Sequence, residues 1–411
     1  MRIKKYFKKI TITSLFLFLL SIVSPAQTTI SEPRQEKLLN GLKLLVWSDA
    51  KAQKATVKLR IHSGSAFDPL AREGVMALLA DILFPSETAR DYFSEDLGGS
   101  LSVTSNYDYI QIDATGDNDK ILEILEALAQ AVSQPQIDKE TTAKVKAAKL
   151  EKIKELEKNP TYMAVQTVSK QLYGSYPYGR APLGTSESVS KIDFADVLLA
   201  KQKFLTADNA TLTISGNVKF DLIFRAARRY FGGWIKADKK VPATFTQPDA
   251  PASIGVTLDT DSSAEIADML IAIRSFARND KDFYASQILV KIMTSAVKNP
   301  SDYFVKSESY LLNGIFMIKG KTASEKSPKF QIGREVFEKA KAEVLAELNQ
   351  RNLADFWLDG DTYKLAPVKD ELNTAANIKL EDVQRVWDRL QTQPSATIII
   401  PKTVGTNSKT N

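Results

Sequence analysis

Apolar residues recur at two periods along the chain, and the two periods alternate. A period of two predicts strands. Residues 42–47 (LKLLVW) follow an Asn40-Gly41 turn, and residues 55–61 set Val57, Leu59 and Ile61 on one face. Residues 101–107 and 109–116 follow Gly98-Gly99 as a further pair, and residues 209–216 (NATLTISG) form another strand. Helical spacing marks Val75, Leu78, Leu79, Ile82 and Leu83 after a turn-rich stretch over 63–73. It marks residues 121–132 (ILEILEALAQAV) more strongly. A Lys/Glu-rich helix is predicted over 139–158, stopped by Asn159-Pro160, with its charges on a solvated face laced by i,i+4 pairs. Further helices follow Pro160 and cover 189–204 and 221–231. Residues 27–38 read as a loose polar leader.

The theme then repeats. Residues 236–251 are polar, contain Pro242, Pro248 and Pro251, and read as a linker. Beyond it the pattern predicts strands over 254–259 and 267–273, a helix over 282–294, a strand over 311–319, helices over 333–349 and 380–390, and a last strand over 396–400. Residues 191–218 match residues 379–404: each is an amphipathic helix, a short polar turn and an apolar strand opening on Ala-Thr. Ala210-Thr211 and Ala396-Thr397 lie 186 residues apart. Any α/β chain offers helix–strand pairs, but the shared positions favour an internal duplication.

A hydrophobic fraction of 44% and a charged fraction of 25% fit a folded globular protein, and 411 residues suffice for two or three domains. The net charge of +6 matters only through its location. Arg2, Lys4, Lys5, Lys8 and Lys9 precede an uncharged run over 10–26 that ends in the small residues Ser24 and Ala26. This is the layout of a secretory signal peptide, with cleavage expected after Ala26. An uncleaved membrane anchor is the rival reading, although the apolar run is short against the roughly 20 residues of a span. Removing five positive charges from +6 leaves +1, so the basic balance does not point to nucleic acid. With no cysteine, disulfides, a thiol nucleophile and thiolate ligands are excluded. A disulfide-free exported protein of this size points to a bacterial periplasm. His62 is the only histidine, so no pair of imidazoles can hold a metal, and at the end of its strand it reads as satisfied by solvent or backbone. The chain has no Gly-x-Ser-x-Gly elbow and no phosphate or dinucleotide fingerprint.

An ordered series of motifs now becomes informative. Asn40-Gly41-Leu42, Gly64-Ser65 with Asp68-Pro69, GVMALLADILF, Leu97-Gly98-Gly99, Asn159-Pro160 and YPYGRAPLGT follow one another over 38–232. Together they resemble the N-terminal half of the pitrilysin/insulinase-type zinc metallopeptidases, which include the mitochondrial-type processing peptidases. The second half resembles that family's second repeat more weakly. The fold class this implies is α+β: two homologous α/β halves of the LuxS/processing-peptidase-like metallopeptidase type, each a mainly antiparallel sheet packed against helices. The boundaries expected are a signal peptide over 1–26, an N-terminal peptidase-like domain over 27–235, the linker, a C-terminal peptidase-like domain over 252–405 and a disordered tail over 406–411.

In active members of that family the helix after the Gly-Ser strand carries His-x-x-Glu-His. Two histidines one turn apart clamp Zn²⁺ while the glutamate activates the bound water. The corresponding positions here are Ala77, Ala80 and Asp81, and two methyl groups neither ligate zinc nor move a proton. Glu151 and Glu155 lie roughly where the third ligand would arise, and they read as solvated helix surface. Tyr178 and Arg180 read as fold determinants. The family's substrate-binding Arg and Tyr stand seven residues apart before a strand. Tyr310 answers to the tyrosine, but Tyr303 stands where the arginine should be, and Lys306 is the nearest charge. The resemblance therefore implies a member without metal or other cofactor. Its expected role is the inactive subunit of an exported peptidase complex, partnered by a zinc-bearing homologue and handling extended peptides. The alternative is a stand-alone periplasmic peptide-binding or chaperone-like homodimer. Neither reading involves nucleic acid, or a membrane once the signal is cleaved.

Overall fold

The computed structural model describes residues 30–237, 249, 256–258, 266–296, 303–321, 332–365 and 367–401. The expected signal peptide, most of the expected linker and the expected tail lie outside them. Among the described residues no helix is long and apolar enough to cross a membrane.

The first half runs β1 (Arg34–Lys37), β2 (Lys43–Ser48), β3 (Lys54–Ile61), α1 (Val75–Ile82), α2 (Glu87–Glu95), β4 (Ser100–Ser105) and β5 (Ile110–Asp117). It continues through α3 (Ile121–Ser133), α4 (Lys139–Glu157), α5 (Pro160–Tyr173), α6 (Ser186–Ser190), α7 (Phe194–Phe204), β6 (Ala210–Gly216) and α8 (Phe220–Phe231). The second half runs β7 (Val256–Leu258), β8 (Ile266–Arg274), α9 (Phe283–Ser295), β9 (Phe304–Glu308), β10 (Ile315–Lys321), α10 (Arg334–Gln350), α11 (Leu353–Tyr363), α12 (Glu371–Ala376), α13 (Leu380–Gln391) and β11 (Ser395–Pro401).

The strand orders are β1-β2-β6-β3-β5-β4 and β7-β11-β8-β10-β9. With β1 set aside, both sheets read first-fifth-second-fourth-third, and in both the first and fifth strands pair in parallel while all other pairs are antiparallel. Ala210-Thr211 and Ala396-Thr397 open the same strand of the two repeats. The duplication read from a short sequence match thus extends to the whole topology.

Period explains the first core. On β3, Ala55, Val57, Leu59 and Ile61 are fully buried, and on α3 Ile121, Ile124, Leu125, Leu128 and Val132 form the matching stripe. Each such side chain contributes about 1.5–3 kcal/mol on leaving water. Asn159-Pro160 both stops α4 and starts α5: Asn159 Oδ1 accepts the N–H groups of Thr161 at 2.9 Å and Tyr162 at 3.1 Å, and proline takes the first helical position.

Several expectations are corrected. The polar leader includes β1, which pairs antiparallel with β2. The single helix expected over 189–204 is two, because Asp193 Oδ1 accepts the N–H groups of Ala195 and Asp196 and caps a new start at α7. The strand expected from 311 begins at Ile315, and β9 precedes it. α2, α11 and α12 were not predicted by the pattern.

The halves embrace reciprocally. α5 of the first half lies on β8 and β11 of the second sheet, and α11 of the second half lies on β6 of the first. Both helices occupy the same place in their repeat, ahead of the short helix (α6, α12) and the capped one (α7, α13).

Candidate functional site

The candidate site is built on α1. Asp68 fixes the start of this helix, its carboxylate accepting the N–H groups of Gly74 at 2.7 Å and Met76 at 2.8 Å. Burial pushes the Asp68 carboxyl up to about 7, against those two donors. Gly74 has φ +100°, and a Cβ there would lie 2.7 Å from the Leu183 carbonyl oxygen, so glycine is required at the helix entry. From Val75 to Ile82 every side chain of α1 is buried except Asp81.

Ala77 and Ala80 lie within this buried run, and Asp81 is half-buried beside them. Opposite stands Lys149 from α4, 6% exposed. Its Nζ donates to Asp81 Oδ2 at 2.8 Å and to the Ala77 carbonyl oxygen at 3.3 Å. An ammonium group therefore faces the positions that the resemblance leads one to expect for the metal motif. A buried ammonium without a partner is strongly destabilising, so the pair holds α1 and α4 in register. A zinc site needs three or four N, O or S donors. Here two positions are methyl groups, and the one carboxylate is already bonded to a cation, so these residues do not fit zinc. Among the described residues no group of three His, Cys, Asp or Glu side chains converges to hold a metal ion.

Glu151 and Glu155 point outward from α4 and pair with Lys154 at 2.8 Å and Lys158 at 2.6 Å, as solvated surface does. Lys149 went unremarked in the sequence, yet a signal was present. Thr142, Val145, Lys149 and Ile153 are the buried residues of α4, spaced as one stripe, and a lysine in the phase of a core stripe demands a buried partner.

Beside α1 runs β4, the outer strand of the first sheet. Ser100, Ser102 and Thr104 are exposed and alternate with half-buried Leu101, Val103 and Ser105. Among the described residues only β5 pairs with β4, so its other edge offers backbone donors and acceptors to an incoming strand.

The remaining expected residues lie elsewhere. Tyr310 stands at the junction of the halves, its ring tilted against Tyr178 with centroids 4.7 Å apart and edge-on to Tyr107 at 4.9 Å. Its hydroxyl donates to Glu308 Oε2 at 2.6 Å, so both ring and hydroxyl are engaged within the chain. Lys306 is exposed, with its Nζ 3.3 Å from Glu308 Oε1. Tyr178 donates to Asp108 Oδ1 at 2.8 Å, and Arg180 NH1 donates to the Asp68 carbonyl at 2.8 Å, which ties the loop into the fold. His62 is not left to solvent. Its Nε2 and Nδ1 lie 3.0 Å from the hydroxyls of Thr211 and Thr362 respectively, the latter from α11. Burial, with Arg60, Lys364 and Lys43 nearby, holds the imidazole well below its usual value, and Asp361 opposes the shift.

The insulinase (peptidase family M16) profile matches residues 43–186, and the peptidase M16 inactive domain profile matches residues 191–353. An uncharacterized zinc protease from Rickettsia felis is 24% identical over 51% of this chain and 52% of its own length. A non-peptidase homolog, YmxG, from Helicobacter pylori is 25% identical over 30% of this chain and 28% of its own. The chain spans about half the length of the first of these relatives. Among solved structures, a protease from Helicobacter pylori superposes with a TM-score of 0.79 at 16% identity, over 90% of this chain and 100% of that one. A peptidase M16 inactive domain from Pseudomonas fluorescens gives 0.74 at 19% identity, over 91% and 98%. The chain thus belongs to the insulinase family, peptidase family M16, as a peptidase-like member whose residues 191–353 match that family's inactive domain.

Proposed function

We propose that this chain is the non-catalytic subunit of an exported peptidase: it forms part of a peptide-binding chamber, and a separate zinc-bearing homologue does the cutting. The observation that carries this reading is the Lys149–Asp81 pair. α1 is buried along its length apart from Asp81, while the expected ligand positions hold Ala77 and a carboxylate bonded to an ammonium, and the expected base position holds Ala80. Evolution of a hydrolase without zinc would need another nucleophile and base, and the sequence offers a single histidine, whose two nitrogens face threonine hydroxyls at the junction with α11. What remains useful is the wall: the open edge of β4 beside α1 can take an extended peptide by backbone pairing, with alternate side chains setting preference.

The test is purification of the tagged chain from its own periplasmic extract. A zinc-bearing homologue should co-purify, chelator-sensitive peptidase activity should belong to the complex, and the isolated chain should be inert. An inert homodimer that binds peptides alone would replace this reading with that of a peptide-binding protein. Peptide cleavage by the isolated chain would refute both.

A further inference from the structure

Where α11 crosses to the first half, a cavity of about 670 Å³ opens between the two repeats. Its charge lining is unbalanced. Asp359 of α11 accepts NH1 of Arg60 on Oδ1 and NH2 of Arg351 on Oδ2, both at 2.8 Å, and Nε of Arg278 stands 3.7 Å from Oδ2. Arg278 NH2 also donates to Glu371 Oε2 at 2.7 Å. Three guanidinium groups thus share two carboxylates, which leaves this group one positive charge in excess. The surrounding arginines hold the Asp359 carboxyl below its ordinary value despite its burial, so it stays ionised.

Arg278 and Arg351 both line the cavity, and NH1 of each hydrogen-bonds to no described residue. The Ser309 hydroxyl, on the same lining, is buried and has no partner among the described residues. A buried hydroxyl and two forked cations with spare donors cost free energy when nothing answers them. Phe283 and Tyr284 line the cavity from α9 and Tyr109 from the turn between β4 and β5, with Val290, Val344 and Leu348 as the aliphatic part of the wall.

We propose that this cavity binds an α-carboxylate carried next to an apolar side chain. The carboxylate accepts from NH1 of Arg278, NH1 of Arg351 and Ser309 and balances the excess charge, while the apolar group lies against Val290, Val344, Leu348 and the aromatic residues of the wall. The last residue of a peptide and a small N-acylated amino acid both present this chemistry. This site is separate from the β4 edge, and it does not depend on the reading of the chain as a subunit.

Calorimetric titration of the purified chain with N-acetyl-phenylalanine, with its amide, and with a hexapeptide ending in phenylalanine as free acid and as amide tests the inference. The free acids should bind about tenfold or more tighter than the matching amides. Tighter binding of the hexapeptide acid than of N-acetyl-phenylalanine identifies a peptide end, and the reverse identifies a small acid. Ser309→Leu should weaken acid binding by about tenfold, and Thr104→Pro, on the β4 edge, should leave the preference for acid intact. Equal binding of acids and amides, or no binding of any probe to the folded wild-type chain, overturns the proposal. Loss of hexapeptide binding in Thr104→Pro with no acid preference would sink this site while leaving the strand-edge reading standing.

Discussion

The two helices that cross between the halves stand at equivalent places in the repeats and use opposite chemistry. α5 meets the second sheet through apolar side chains: Ala164, Val168, Leu172 and Tyr173 pack with Leu270, Ala272, Met317, Ala396 and Ile398. α11 meets the first sheet largely through charge. Lys58, Arg60 and His62 point from one face of β3 at the period of a strand, and Asp355, Asp359 and Thr362 answer them at the period of a helix, at 2.8, 2.8 and 3.0 Å. Lys43 adds a bond to Asp361 at 2.7 Å, and a small apolar cluster of Leu45, Trp47, Ala354 and Trp357 completes the contact, with Trp47 edge-on to Trp357. Duplicated topology therefore does not impose duplicated chemistry. The apolar contact closes tightly, whereas the charged one keeps cavities on both flanks, of about 670 Å³ and about 460 Å³.

Removing the centre of the charged contact should have the largest effect. Asp359→Asn leaves three guanidinium groups without their shared counter-ion and should cost about 4 kcal/mol in urea unfolding, since breaking a buried pair from one side exposes the full desolvation penalty. A loss below about 1 kcal/mol would mean that α11 is held by its apolar contact alone. On the other side, Leu172→Ala should cost about 3 kcal/mol through lost burial and a residual cavity, with the same loss at low and high salt. If its cost changed with salt, the apolar description of the α5 contact would be wrong.

Asp108 is a buried carboxyl near α5, accepting from the Tyr178 hydroxyl and from the Leu311 N–H. Burial pushes its carboxyl up to about 6, against those two donors, from an ordinary 3.8. Between those values the folded chain keeps a proton that the unfolded chain has lost. The contribution is therefore fully present below pH 3.8 and is lost as pH rises through about 6. Asp108→Asn should flatten that decline, by about 2–3 kcal/mol across the window, when thermal unfolding is followed against pH. A slope unchanged by the substitution would place the titration elsewhere. The smallest effect belongs to the Lys43–Asp361 pair: Lys43→Met should cost about 1 kcal/mol or less, and less still in high salt.

The same comparison explains what the sequence revealed. Elements whose apolar faces meet one core were legible: β3, α3, β6 and α13 fall within a residue or two of their expected bounds. Elements without such a face were not. β1 reads RQEK because it is an edge strand, α2 buries only Phe93, and α11 presents aspartates and a threonine to a charged sheet face. The Lys58-Arg60-His62 alternation looks like a solvated face, and only the fold shows a second helix over it. At the site, Ala77 and Ala80 are read directly from the sequence, and the structure adds that both are buried. Lys149 was hidden among 19 residues of a Lys/Glu-rich helix, where only the phase of the buried stripe sets it apart.

Under the proposed function this chain leaves cleavage to a zinc-bearing partner. The direct measurement is zinc content and peptidase turnover of the purified chain, before and after chelation and zinc restoration. The account predicts far less than one zinc per chain and no chelator-sensitive cleavage, with Lys149→Glu alone changing neither. One zinc per chain, with cleavage that chelation abolishes and added zinc restores, would contradict it.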